Sequence, residues 1–333
     1  MISEESTVFR LRLLSAVVLA LGLVTVSVAQ EKQSFLTKFE PGKSFYQKLT
    51  TRAEQTTKVQ GTNADSPQKH EQTFFFKWTP VSLDKGKAVV KMSIEGAIFK
   101  LDIAGQTISY DSTDPNPSGA AGNPGLADFF KNLIGLEFTI TYGDKMVIEK
   151  VEGREQAITK LSTANPAAEP IIKAILSEEA LKEMIDPSLG MTPPTEKAVN
   201  ETWEKKAPLN LGPIGQYDRT YTYTYKGKDT GPTTKDLDRV EVKPSLTFKP
   251  PAAGTDNLLF RVKAGTITTK EVKQGYILYN PKTGRVEQAR INVISEGELD
   301  AVLGAAESKV KLYMDQKMEL DTSDTTFLTP KKP

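Results

Sequence analysis

The clearest pattern along the chain is a period of two. Across Ser308 to Asp321, Val310, Leu312, Met314, Met318 and Leu320 fall on one side, while Lys309, Lys311, Tyr313, Asp315, Lys317 and Glu319 fall on the other. Successive side chains of an extended chain point to opposite faces, so this alternation predicts a half-buried strand. Upstream, Tyr276 to Tyr279 and Arg285 to Ile294 flank Asn280-Pro281-Lys282-Thr283-Gly284. Proline presets φ there and glycine accepts positive φ, which makes the stretch a hairpin. A sheet with one wet face is expected to be antiparallel, because helix-covered parallel sheets bury both faces.

The same reading applies to most of the chain. Strands are expected over Lys43 to Val59, Glu71 to Pro80, Ala88 to Ile94, Ile98 to Ile103 and Thr107 to Tyr110, with a polar loop over Gln60 to Gln68. Phe74, Phe76 and Trp78 share one face of the second strand, and Phe75 points the other way. Asp111 to Gly125 reads as an exposed loop, followed by a short helix with Asn123 as cap, Pro124 in its first turn and an apolar stripe of Leu126, Phe129, Phe130, Leu133 and Ile134. Leu136 to Tyr142 and Met146 to Val151 form another hairpin.

From Gly153 to Leu189 the period turns helical. Asn165-Pro166 opens one segment, Ser177 another, and Asp186-Pro187 closes the region. Strands return around Trp203, over Asp218 to Lys226 with its Tyr221, Tyr223, Tyr225 ladder, over Arg239 to Phe248, and over Leu258 to Thr269. The expected fold is therefore mainly β (α+β): one large curved antiparallel sheet or half-barrel with a few helices on its concave face. The layout of 35–152 rhymes with that of 196–322 across a helical insertion at 153–192, all within a single domain over 30–333.

Composition adds a destination. Arg10 and Arg12 precede the apolar run Leu13 to Val28, and Ser27-Val28-Ala29 supplies the small residues that a signal peptidase reads, so 1–29 is expected to be a signal peptide cleaved after Ala29. The run is short for a spanning helix, and no stable transmembrane span is expected once it is removed; retention as an anchor is the alternative. The chain has no cysteine, which excludes disulfides and a lipidated cysteine and favours the bacterial envelope, as a periplasmic or secreted protein. A formal net charge of +1 offers no field to gather nucleic acid.

Catalytic signatures are sparse. His70 is the only histidine, so a Ser-His-Asp arrangement would have to use it, and no Gly-x-Ser-x-Gly elbow accompanies it; an exposed strand-edge position is the plainer reading. Ser82-Leu83-Asp84-Lys85 and Lys282-Thr283-Gly284 match S-x-x-K and K-T-G, but both fall in expected turns and the S-D-N element is missing. Gly119, Gly122 and Gly125 precede a helix without the strand that a phosphate-binding loop requires. Asn200-Glu201-Thr202 fits a glycosylation sequon that matters only in a eukaryotic host. No metal, cofactor or catalytic site is assigned.

The aromatic positions carry the remaining signal. Phe74, Phe76 and Trp78 on a strand, with Phe129, Phe130, Leu133 and Ile134 on a helix above it, would line an apolar space, either packed solid or open to a ligand. The export signal, the long strands, the central helical insertion and the local match at Tyr276, Asn280, Gly284 and Val286 resemble uncharacterised exported bacterial envelope families, in a LolA/LppX-like layout of lipoprotein and lipid carriers. That resemblance implies a curved sheet capped by helices around a hydrophobic cavity. The leading expectation is thus a non-enzymatic protein binding an apolar ligand, such as a lipid or acyl chain, between sheet and helices. An envelope protein partner bound on the convex face or a strand edge is the alternative, and a carboxylate-dependent hydrolase the third.

Overall fold

Among the described residues thirteen strands hydrogen-bond into one antiparallel sheet, in which the first strand and the last pair in the middle. The computed structural model describes residues 31–60, 65–103, 105–114, 124–164, 166, 169–210, 215–251, 260–303 and 306–328. The expected signal peptide and most of the expected loop at Asp111 to Gly125 lie outside these residues. The strands are β1 (Phe45–Val59), β2 (Asp65–Asp84), β3 (Lys87–Ile103), β4 (Gln106–Asp111), β5 (Glu137–Tyr142), β6 (Ile148–Glu152), β7 (Thr202–Lys206), β8 (Leu209–Asn210), β9 (Gln216–Lys228), β10 (Asp238–Lys249), β11 (Phe260–Asn280), β12 (Arg285–Leu303) and β13 (Ala306–Ser323). Their order is β6-β5-β3-β2-β1-β13-β12-β11-β10-β9-β7, with β4 beside β3 and β8 beside β9. The chain winds outward from β1 to one edge, with the helix α1 (Pro124–Leu133) between β4 and β5, crosses through the helices α2 (Arg154–Ala164), α3 (Glu169–Ile175) and α4 (Glu178–Met184), and winds inward from the other edge to β13.

Several strands are longer than their apolar pattern. The expected loop at Gln60 to Gln68 is shorter, because β2 already begins at Asp65 and Pro67 pairs with Thr56. That end of the β1–β2 ladder has no deeply buried face, so no alternation announces it. Two expected strands merge into β3, since Gly96 marks a bulge and not a break: Phe75 faces Gly96 and Phe76 faces Ile94, leaving Glu95 extra. A Cβ on Gly96 would come within 3.3 Å of both the Phe75 ring and Leu328, so the glycine admits a close approach on the outer face. β11 likewise runs unbroken through Gly275, with register shifts that leave Lys263, Lys270 and Lys273 unopposed. Lys270 and Lys273 reach Glu296 (2.7 Å) and Asp315 (2.9 Å), and Lys263 pairs with Glu307. Pro244 sits where β10 stops pairing with β11, between Glu241 and Thr247, so its missing N–H costs no ladder bond on that side.

Cross-strand partners share a face, and one face is apolar from edge to edge. Phe138, Met92, Trp78 and Phe45 form one row, and Leu49, Leu320, Ala289, Ile277, Val240 and Tyr225 continue the same face through the C-terminal strands. Over β1 to β6 the roof is helical: Ala157, Ile158 and Leu161 of α2, then Ile172, Leu176, Leu181 and Ile185, pack into this core. The Ser177 hydroxyl accepts from the Ala180 N–H at the start of α4, as the sequence leads one to expect. Over β7 to β13 the roof is two extended segments contributing Phe35 and Met191. Phe35 lies among the rings of Trp203, Tyr225 and Tyr279, with centroids 5.1–5.6 Å apart. A third cluster, including Phe248, Ile267, Leu299 and Val310, closes the far end of the long strands.

Candidate functional site

Between these closed clusters runs a row of the same face on which no residue is buried. The register sets Val272 of β11 beside Val293 of β12, then Gln316 of β13, Ala53 of β1, His70 of β2, Leu101 of β3 and Ile108 of β4. All are half-buried except Gln316, which is exposed. The neighbouring rows contribute Ile291 and Met318 on one side and Met314 on the other, each half-buried at the margin of a cluster. Among the described residues the result is an apolar floor without a complete roof, interrupted by an amide and an imidazole.

His70 belongs to this floor, which corrects the expectation of an exposed edge position. It sits inside a central strand, paired on both sides, and its ring stands 5.1 Å from that of Phe99. Burial against that ring holds its pKa below the ordinary imidazole value, with a Gln72 hydrogen bond opposing. Among the described residues no group of three or more Asp, Glu or His side chains is placed to hold a metal ion.

The aromatic residues singled out from sequence do come together. Phe76 and Trp78 are buried in the core under α2 to α4, and Phe130 is buried in an adjoining cluster with Phe99 and Tyr110. Phe74, Phe129 and Leu133 are half-buried and bridge the two clusters, and Ile134 packs against the second. Ring contacts tie them: Phe74 to Phe76 (5.8 Å), Phe99 to Phe130 (4.7 Å) and Tyr110 to Phe130 (5.6 Å). The side chain of Leu126 lies outside the described residues.

The tyrosine ladder acts as an anchor line. Tyr223 donates to the Leu189 carbonyl (2.9 Å), Tyr225 to the buried Asp238 carboxylate (2.8 Å), and Trp203 Nε1 to the Met191 carbonyl (2.7 Å). With Tyr223 and Tyr225 buried, their faces serve packing, while the Tyr223 hydroxyl holds the roof segment at Leu189 and the Tyr225 hydroxyl ties β9 to the start of β10.

The turn at Asn280 to Gly284 is explained by its own bonds. Asn280 Oδ1 accepts from the Lys282 and Thr283 N–H groups, the Gly284 N–H donates to the Asn280 carbonyl (2.7 Å), and Glu287 accepts from both the Asn280 amide and the Thr283 hydroxyl. Tyr276 stacks under Arg239, 4.2 Å from its ring centre. Lys282-Thr283-Gly284 and Ser82 to Lys85 thus lie in or beside the β11–β12 and β2–β3 turns.

Two pockets open elsewhere. One, of about 370 Å³, lies at the rim of the sheet between residues 38–45, the β11–β12 turn and Asp324. The other, of about 590 Å³, is a shallow groove on the polar face across β1, β13, β12 and β11, floored by Lys58, Lys311, Glu298, Tyr313 and Glu296. Reasoning from sequence missed the rim pocket because its lining comes from four separate parts of the chain, around residues 38–45, Pro80, 283–285 and Asp324. The unroofed row had a partial signal in the Met314 and Met318 positions of the alternating last strand.

Residues 85–235 match a family of unknown function, DUF6263. No curated protein matches the chain. Among solved structures, the chain is similar to a lipovitellin structure described for its lipid–protein interactions, at 12% identity and a TM-score of 0.42, over 89% of this chain and 26% of that one. The chain therefore spans about a quarter of lipovitellin's length. It is also similar to DynF from the dynemicin pathway of Micromonospora chersina (8% identity, 93% of this chain and 91% of that one, TM-score 0.20) and to an outer membrane channel from Pseudomonas putida F1 (6%, 86% and 98%, TM-score 0.22). Likenesses at this level carry no statement about activity.

Proposed function

We propose that the protein is a non-enzymatic binder of an apolar ligand, with a lipid acyl chain as the ligand class. What carries the reading is the unroofed row: Val272, Val293 and Leu101, with Ile291, Met314 and Met318 beside them, leave apolar surface half-exposed between closed clusters of the same face. An acyl chain is long, flexible and without hydrogen-bonding demands along its length, which suits a floor that offers mostly contact area and soft thioether side chains. Gln316 and His70 interrupt the strip and can orient a polar end. A sheet roofed on one face by helices also fits the lipoprotein- and lipid-carrier layout that the sequence resembles.

Arg10, Arg12 and the apolar run to Val28 support placing it in the bacterial envelope or outside the cell. Native mass spectrometry of the purified full chain tests the ligand, together with titration by a fluorescent fatty-acid analogue. A co-purifying lipid and saturable, displaceable probe binding are expected. A lipid-free protein that leaves the probe unbound would sink the reading.

A further inference from the structure

We propose that the rim pocket is a binding site for a small anionic group, a carboxylate or a phosphate monoester, with Arg285 as its anchor. This inference is independent of the apolar-ligand reading. The Arg285 side chain is 14% exposed, and its guanidinium lies 5.2 Å over the ring of Phe45. Its main counter-ion is Asp324, at 2.8 Å from Nη2, whose own side chain is 77% exposed just beyond the end of β13. Glu287 stands farther off, at 4.0 Å, and is already an acceptor for Asn280 and Thr283. The buried Nε–H has no acceptor among the described residues.

A largely buried guanidinium with an idle N–H is an unfinished arrangement, since such groups ordinarily have their donors satisfied. Two further cations line the pocket. Lys38 Nζ donates to the Pro281 carbonyl (2.8 Å), a neutral acceptor, while Lys43 pairs with the solvent-exposed Glu40. Three cations share the lining with two exposed carboxylates, Glu40 and Asp324, so the lining favours an incoming negative charge. The planar fork of Nε and Nη2 matches two oxygens of a carboxylate or phosphate, which would take the place of the exposed Asp324 carboxylate. A volume of about 370 Å³ suits a small group better than a whole cofactor.

The test is calorimetric titration of the full chain with inorganic phosphate and, separately, acetate. Saturable binding of at least one is expected, weakened tenfold or more in Arg285→Lys, which keeps the charge but loses the fork, and tightened severalfold in Asp324→Asn, a surface change that leaves folding intact. Lys38→Gln supplies a second weakening variant should Arg285→Lys fail to fold. A second arm separates sources. Vesicles of phosphatidylcholine with phosphatidic acid that bind the protein and are released by inorganic phosphate identify a lipid headgroup, whereas phosphate binding without vesicle binding identifies a free anion. Titrations that never saturate, or affinities unmoved by both Arg285→Lys and Asp324→Asn, would overturn the proposal.

Discussion

Tyr279 donates its phenolic hydrogen to the backbone carbonyl of Leu36 at 2.7 Å, so a side chain of β11 holds down a segment lying 243 positions earlier in the sequence. That segment carries Phe35 into the aromatic nest beneath it and bridges to residue 197 through paired Gln33–Lys197 backbone bonds. The roof over the C-terminal half thus depends on a few discrete attachments.

Tyr279→Phe is expected to cost about 0.5–1.5 kcal/mol, the net contribution of a hydrogen bond to a part-buried carbonyl. Phe35→Ala, which removes a ring 1% exposed, is expected to cost about 3–5 kcal/mol. Urea denaturation followed by tryptophan fluorescence reads both, since Trp203 stacks directly on Phe35.

Burial first, then the nearby Asp238 carboxylate, pushes the Tyr279 hydroxyl well above the ordinary phenol value, and burial raises Tyr142 and Tyr217 in the same direction. A raised folded-state pKa favours the protonated form in the native state. The associated stability is present below the unfolded value of about 10 and is lost as pH climbs past it. The urea midpoint should therefore fall between pH 9 and pH 11, and fall less steeply in Tyr279→Phe.

Gly284 adopts a φ of +66°, and a Cβ there would lie 2.7 Å from the Lys38 backbone nitrogen. Gly284→Ala combines a left-handed backbone with a clash against the docked segment. A loss of at least about 1–3 kcal/mol is expected, with faster proteolysis near residue 38 as the local signature.

Val293→Lys places an ammonium on the unroofed row without touching a closed cluster. Stability should fall by about 1 kcal/mol at this half-buried position, leaving the fold intact, while affinity for the fatty-acid probe drops tenfold or more. An unchanged affinity would place the ligand, if any, elsewhere.

Asp238 is fully buried, accepts from Tyr225 and pairs with Lys228 at 2.9 Å. Asp238→Ala should cost about 1–3 kcal/mol by stranding the Tyr225 hydroxyl, and Asp238→Asn, which keeps an acceptor, should cost less. Thermal melts of the two variants decide between charge and hydrogen bonding as the source of its effect.

Much of the sheet could be read from side-chain alternation where one face is dry, as in β13, or where turn chemistry is explicit, as at Asn280 to Gly284. Bulges at Glu95 and at the lysines of β11 were invisible, because an extra residue shifts the alternation and imitates a strand break. The polar start of β2 was missed for a related reason: without a deeply buried face, nothing in composition separates strand from loop. The Phe76, Trp78 and Phe130 grouping was legible because a helix stripe and a strand face both announced it. The row through Val293 and His70 was not, since it exists only in the register of seven strands, and the Arg285 pocket depends on contacts that no local window contains.

Arg52 of β1 and Glu319 of β13 are bonded at 3.1 Å although 267 positions separate them. The central seam of the sheet therefore joins two strands far apart along the chain. Until β13 emerges, β1 presents a fifteen-residue open edge with nothing to pair on that side, a template for association with other chains. Closure of such a distant contact is slow, so that edge stays open far longer than the edge of a hairpin would.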